Sequence, residues 1–343
     1  STNSGVVLDD EEEDEEEDDD ELEDELDDDE DDEHIPYLEK EAKQVLRKLS
    51  LSFPQTYING DANIWILKPA GLSRGRGITL SSSLSDIQQQ IKAKDQPWII
   101  QKYMEKPLLY KTRKLDIRQW VLVTDWNPLC VWFYAECYVR LSTNEYDAAN
   151  IKDVYSHLTN NSINKHAKGF EKEAGFLSQA DFADYLKTLP RDEVRNGEEV
   201  IDDPFFQKIQ PKMKEIVIAT LQSVQESIEN RKNSSEIYGF DFCIDDKLNS
   251  WLIEVNSSPA WDYSSSVTER LVKQASEDYI RVIVDYAAAF GDKKEKVSTG
   301  LWSIIYAETT TADKASAPGG NIDLQIVGQN ILPVQGEQAK KRL

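Results

Sequence analysis

IYGFDFCIDDKLNSWLIEVNSSP, residues 237–259, sets two runs of β-branched and aromatic residues, IYGFDFCI and SWLIEVN, on either side of the polar segment Asp245-Asp246-Lys247-Leu248-Asn249. This pattern predicts a β-hairpin. With the turn centred between Lys247 and Leu248, Asp241 lies directly across from Glu254. Opposed side chains sit about 5 Å apart, where two negative charges repel by roughly 1 kcal/mol in water and about 4 at an intermediate dielectric. A cation between them relieves that repulsion. Asn256, two residues past Glu254, points to the same face and adds a neutral oxygen. Two carboxylates and an amide suit a hard cation such as Mg²⁺, which keeps waters and substrate phosphates as its other ligands. The plainer reading, an exposed hairpin whose acids tolerate each other, fits poorly with flanking Phe240, Phe242, Trp251, Leu252, Ile253 and Val255.

The charge of the chain is unevenly spread. Of 64 acids in 343 residues, 23 fall in the 25 positions from Asp9 to Glu33, and the remaining 41 nearly balance 39 bases. The net charge of -25 therefore belongs mostly to an acidic tail, residues 1–33, that is expected to stay disordered through self-repulsion. Without it, about 300 residues remain, enough for a large core in two or more lobes. Cys130, Cys137 and Cys243 are too few and too scattered for a disulfide framework or a zinc site, which fits a reducing compartment. No apolar run reaches the roughly 18 residues of a membrane span, and the acidic start is unlike a signal peptide. A cytoplasmic or cytoskeletal location is expected, with neither nucleic acid nor membrane as partner.

Past His34, Leu38, Ala42, Val45, Leu46 and Leu49 recur at helical spacing from Tyr37 to Leu49, and a connector runs to residue 62. The strand NIWILK, ending at Lys68, then enters Pro69-Ala-Gly-Leu-Ser-Arg-Gly-Arg-Gly77. Backbone N–H groups of such a loop, Ser73 to Gly77, can approach phosphate oxygens, with Arg74 and Arg76 supplying charge around Gly75. Lys68 precedes the glycines, so this is not a Walker A loop. Alone, it reads equally as a phosphate cradle or as an ordinary surface loop. SDIQQQIKA, begun by Ser85 or Asp86, suggests a short helix, and WIIQKY a buried strand whose exit Gln101-Lys102-Tyr103 could serve as a hinge between lobes. Lys114, Asp116 and Arg118 alternate with Leu115 and Ile117, placing three charged groups on one face of a strand. The turn Asp125-Trp-Asn-Pro128 returns the chain into VWFYAECYVRL, ending near Arg140. From Ser142 to Phe206 the pattern weakens. His157 in YSHLTNNSINK reads as a hydrogen-bonded structural residue, and Ser178 with Asp181 as a helix cap. Residues 192–203 read as a mobile acidic loop. Met213, Val217, Thr220, Val224 and Ile228 stripe a long helix, and Val267–Phe290 a second one. Two further strands are expected at Gly300–Glu308 and Asn321–Leu332, separated by a polar disordered stretch.

Four separated motifs, NIWILKPAGLSRGRGI, WIIQKYMEKPLL, KLDIRQWVLVTDWNPLCVWFY and GFDFCIDDKLNSWLIEVNSSP, stand in this order over about residues 63–290. Together they resemble the tubulin tyrosine ligase-like family. TDWNPL with VWFY, WSIIYA and LQIVGQNIL look most like its glycine ligase branch. The resemblance implies an α+β ATP-grasp fold in which two lobes, here 63–113 and 114–290, clamp ATP, with 291–343 as a C-terminal extension. It implies phosphate binding by Lys68 and Ser73 to Gly77, adenine framing by Gln101, Lys102, Tyr103 and Met104, and nucleotide contacts from Lys114 and Asp116. Arg118 and Arg140 would face the acceptor peptide or the reacting carboxylate, and Asp241, Glu254 and Asn256 would hold Mg²⁺. The family's further N-terminal lobe has no recognisable counterpart in the first 62 residues, so the chain is expected to be a fragment or to lack ordered sequence there.

The implied reaction is ATP-dependent: a glutamate side chain of a tubulin tail becomes an acyl phosphate, and the amine of free glycine attacks it. The implied setting is the microtubule, in particular the axoneme of the cilium. A glutamate ligase on the same scaffold is the nearest rival, and a catalytically silent cytoskeletal binding module the rival of another class. The Asp241/Glu254/Asn256 set speaks against silence. Trp126, Trp132, Phe133 and Tyr134 add bulk, which in a donor pocket would exclude amino acids larger than glycine.

Overall fold

The computed structural model describes residues 31–53, 60–94, 96–190, 195–196 and 199–308. The acidic run before Asp31, the strand expected at 321–332, the polar stretch before it and parts of the 192–203 loop lie outside the described residues. The chain divides into two compact units, Ser1–Tyr57 and Ile58–Leu343. The described part of the first is helix α1, Asp31–Ser52. It starts six residues before the expected Tyr37 and takes in the last acids of the run.

The second unit begins with a three-stranded antiparallel sheet of β1 (Trp65–Pro69), β2 (Thr79–Ser81) and β3 (Trp98–Lys102), in the order β2-β1-β3. Helix α2 (Leu84–Lys92) is capped by the Ser83 hydroxyl, which accepts from the Asp86 N–H, so it starts slightly before the expected Ser85. Next come β4 (Leu109–Tyr110), β5 (Arg113–Trp126), β6 (Leu129–Tyr134) and β7 (Tyr138–Leu141). The short helices α3 (Val154–His157) and α4 (Asn161–Asn164) precede β8 (Phe176–Ser178) and α5 (Gln179–Lys187), and Ser178 caps α5 as its sequence predicts. The pair β9 (Arg195–Asn196) and β10 (Glu199–Val200) leads to α6 (Gln210–Val224), the hairpin β11 (Glu236–Ile244) and β12 (Ser250–Asn256), α7 (Ser266–Ile280) and β13 (Trp302–Ala307).

An eight-stranded sheet runs β12-β11-β5-β6-β13, with β4 and β7 also on β5 and β8 on β7. The 14-residue β5 is its axis, and alternation along that strand sets the layers. Leu115, Ile117, Val121 and Val123 enter one core with Met213, Val217 and Leu221 of α6. On the opposite face Lys114, Asp116 and Arg118 give way to Trp120 and Leu122, which join Trp132, Tyr134 and Leu271 of α7 in a second core. A third cluster holds Ile64, Ile66, Leu80, Tyr103 and Leu158. The architecture is therefore α+β with mostly antiparallel sheets.

Several element details differ from expectation. Leu221, not Thr220, completes the buried stripe of α6, and Val224 and Ile228 are exposed because the helix gives way to a 3-10 turn at Gln225–Ser227. Helix α7 continues into a π-helical turn, Arg281–Tyr286, which keeps Val282 buried but leaves Val284 exposed. The sheet also takes in β13, beyond the expected lobe end at 290, because the Trp302 ring buries 4.9 Å from Tyr134. The three cysteines are free. No helix among the described residues is long and apolar enough to cross a membrane.

Candidate active site

The hairpin sets Asp241 opposite Glu254 and Gly239 opposite Asn256, as the sequence predicts, but reaches that register by a different route. Ile244 pairs Ser250, so the turn centres on Lys247 rather than between Lys247 and Leu248. The Asp245 carboxylate accepts from the N–H groups of Lys247 (2.9 Å) and Asn249 (2.8 Å), and Leu248 takes a positive φ of 61°. A β-bulge between the Asp241 and Phe242 pairs then shifts the register by one residue and restores the Asp241–Glu254 pairing.

Asp241 is 2% exposed and also lies across β5 from Arg118. Arg118 grips it with Nε and a terminal nitrogen, the latter at 3.1 Å. Arg140, across from Asp116 on β7, gives Nε to Asp116 at 2.7 Å and a terminal nitrogen to Asp241 at 2.8 Å. Asp116 also accepts from the Thr159 hydroxyl. The chain Thr159–Asp116–Arg140–Asp241–Arg118 thus forms one buried network. Burial works against the charge of Arg140, but Asp116 and Asp241 hold its pKa well above the usual value. Burial likewise opposes ionisation of Asp241, and the two guanidiniums hold its carboxyl below the usual range. Each arginine keeps one terminal nitrogen without a protein partner among the described residues.

Glu254 is the outer, exposed member of the carboxylate pair. Desolvation in the cleft, then the facing Asp241 charge, push its pKa up, so its negative charge is poorly compensated. The Asn256 amide lies 3.3 Å from Glu254 and 3.4 Å from Asp241, and its two ends can exchange at little cost. Two carboxylates and an amide on one face fit a divalent cation that brings its remaining oxygens as water and phosphate. Among the described residues no group of three or more His, Cys, Asp or Glu could hold a metal.

Lys68 comes to this site from the small sheet, where its Nζ donates to Gln101 Oε1 at 2.9 Å. Its pKa is lowered by burial and by Lys114, against the opposing pull of Glu254 and Asp241. Four cations, Lys68, Lys114, Arg118 and Arg140, therefore surround three carboxylates, Asp116, Asp241 and Glu254, a balance that favours an anionic ligand.

The hinge stretch is tied down by a residue that sequence reasoning missed. Glu105 accepts the Ala62 and Ile64 N–H groups, each at 2.8 Å, and pairs with Lys102 at 2.6 Å. Burial opposes its charge, but these donors hold its pKa below the usual range. The Lys102 side chain is thus spent on Glu105, and the Tyr103 N–H on the Ile64 carbonyl at 3.0 Å. By the alternation of antiparallel pairing, the backbone N–H and C=O of Lys102 lie on the open edge of β3. Met104 contacts the Cys243 thiol at 3.3 Å.

The glycine-rich loop stands over α4, also missed in the sequence. The Arg74 carbonyl accepts from Ser162 Oγ at 2.7 Å, and a Cβ on Gly75 would lie 2.9 Å from Asn160 Oδ1. Arg76 folds back on Ser73. Thr159 and Asn160 thus join the site from a polar segment without apolar periodicity, and the signal that could have found them is their density of hydroxyl and amide groups. His157 is structural, as expected. Its Nε2–H donates to the Asn150 carbonyl at 3.2 Å, since that oxygen can only accept, and its Nδ1 accepts from the Tyr103 hydroxyl at 3.0 Å. Trp126, Trp132, Phe133 and Tyr134 are all in the cores rather than at the site. Their rings fill the spaces on both faces of the main sheet.

Residues 16–292 match the Tubulin-tyrosine ligase family. The chain is 45% identical over 285 residues to Tubulin glycylase 3C of Tetrahymena thermophila, covering 81% of this chain and 26% of that protein. It is 37% identical over 317 residues to Tubulin monoglycylase TTLL3 of Danio rerio, 89% of this chain and 37% of that one. Protein monoglycylase TTLL8 of Mus musculus is 40% identical over 256 residues, 71% and 29%. The chain spans 26–37% of the length of these relatives. With a family match over most of its length, the chain belongs to the tubulin-tyrosine ligase family.

Proposed function

We propose that this chain carries the catalytic core of an ATP-dependent tubulin glycine ligase, acting on the acidic tails of microtubules in the cytoskeleton and the ciliary axoneme. The small sheet of β1–β3 and the main sheet, which takes in β4 and β13, are the two lobes that clamp ATP. The observation that carries the reading is the buried Arg118–Asp241–Arg140–Asp116 network beside Lys68 and Glu254, in a chain 45% identical to a tubulin glycylase.

In this reading the reaction has two displacements. A glutamate carboxylate of the tubulin tail attacks the γ-phosphorus of ATP, giving an acyl phosphate and ADP. The glycine amine then attacks the acyl carbon, phosphate leaves, and the nitrogen gives up a proton as the amide forms. Lys68 and the Ser73–Gly77 loop bind the phosphates, the edge of β3 at Lys102 receives the adenine, and Lys114 contacts the nucleotide. Arg118 and Arg140 use their unspent terminal nitrogens to hold carboxylates. They are charged and fixed before substrate arrives, so their orientation costs nothing during reaction. Mg²⁺ held by Asp241, Glu254 and Asn256 would neutralise developing charge on the phosphate oxygens.

The test is incubation of the chain with tubulin, ATP and each labelled amino acid in turn, followed by mass spectrometry of tubulin. Glycine on glutamate side chains is expected. Glutamate incorporated efficiently with glycine inert would move the chain to glutamate ligation, and no ATP-dependent adduct would overturn the ligase reading.

A further inference from the structure

Along the site face of β5 the charged side chains end at Arg118, and the next residue on that face, Trp120, is aromatic. Tyr138 of β7 is the cross-strand neighbour of Arg118, two residues from Arg140 and on the same face. Its ring stands 5.9 Å from Trp120 and 6.1 Å from Phe176, and Trp120 is backed in turn by Trp261 at 4.4 Å. Tyr138 is 6% exposed, so its ring has no free space to swing into. Burial raises the pKa of its hydroxyl, and the charges of Arg118 and Arg140 counter part of the rise.

We infer that Tyr138 is the wall that limits the amino donor to glycine. The inference rests on the ligase reading above, in which Arg118 and Arg140 hold carboxylates. An α-amino acid bound there by its carboxylate has its Cα two bonds beyond the oxygen that accepts from the guanidinium. A substituent on Cα then competes for the volume of the fixed Tyr138 ring. Glycine alone has no such substituent. Contact recognition of one missing methyl is worth little, about a 10–200-fold preference, whereas a clash with a wall that cannot retreat excludes more strongly.

The measurement is the ratio of kcat/KM for alanine to that for glycine, with tubulin and ATP in excess. Tyr138→Ala is expected to raise this ratio at least tenfold, and Tyr138→Leu, which keeps apolar packing against Trp120 and Phe176, to raise it less. Tyr138→Phe keeps the ring and is expected to leave the ratio as in the wild type. In the wild-type chain a hundredfold excess of alanine is expected not to slow glycine incorporation. That arm needs no variant and can overturn the inference by itself, and Tyr138→Leu reads the ratio where Tyr138→Ala does not fold. Inhibition of the wild type by alanine, an unchanged ratio in folded Tyr138→Ala or Tyr138→Leu, or a raised ratio in Tyr138→Phe overturns the inference while the ligase reading stands. A wild-type chain that attaches no glycine overturns the ligase reading itself.

Discussion

Gly239 needs no special backbone angle, so its missing side chain answers a demand for space. A Cβ there would lie 2.8 Å from Pro259 Cβ and 3.2 Å from Arg118 Cδ. Arg118 cannot easily yield, because both of its bonds to Asp241 would loosen. Gly239→Ala is expected to cost about 1–3 kcal/mol of stability, typical of overpacking, and to lower turnover more than ATP affinity. Thermal melts and kinetics check it, and a variant with wild-type melting and turnover would mean that Pro259 retreats instead. Glu254→Gln is the contrasting case. The residue is exposed, so stability should stay within about 0.5 kcal/mol, while most Mg²⁺-dependent ATP turnover is lost with one of two anionic ligands. Magnesium titration of ATP hydrolysis in both proteins measures this, and full activity in the variant would remove Glu254 from the metal set.

At the scale of elements, the polar segment around α3 and α4 is a structural partner of both sheets. His157 is fully buried, and burial pushes its pKa below the ordinary value. The unfolded chain binds a proton at this residue below about pH 6.5, where the folded chain still resists it. Its contribution to stability is therefore complete above about pH 6.5 and lost as the pH falls toward its lower folded value. His157→Gln should melt lower at neutral pH but show a flatter dependence between pH 7 and 5, and an unchanged slope would assign the acid sensitivity to carboxylates. Gly75 joins α4 to the glycine-rich loop. Its φ of +74° and the 2.9 Å approach to Asn160 leave no place for a methyl group. Gly75→Ala should strain the loop by roughly 1–2 kcal/mol and weaken ATP binding, as read by titration calorimetry.

Across the unit that begins at Ile58, the candidate site draws Lys68 and Gln101 from the small sheet and Arg118, Arg140, Asp241 and Glu254 from the main one. A ligand that touches both sheets is expected to stabilise them together. A non-hydrolysable ATP analogue with Mg²⁺ at about 100 times its Kd should add about 2.7 kcal/mol, seen as a single melting transition moved several degrees upward. Lys68→Ala should remove most of that shift at the same ligand concentration. An undiminished shift in Lys68→Ala would give the phosphates to another cation.

The sequence alone determined what depends on near neighbours in the chain. The strand alternation that puts Lys114, Asp116 and Arg118 on one face comes from a period of two, and the Asp241–Glu254 pairing from a hairpin closed by a short polar turn. Even there the turn centre and the bulge were hidden, since only the sum of the two offsets fixes which residues meet. Tertiary structure decided the rest. Arg118 and Arg140 converge on Asp241 because β5 pairs with β11 on one side and β7 on the other, across separations in sequence that no local pattern encodes. Thr159 and Asn160 enter the site, Tyr138 comes beside Arg118, and Trp132 and Tyr134 withdraw into the core, for the same reason: each side chain's surroundings are set by what the remote chain packs against it, not by its own spacing.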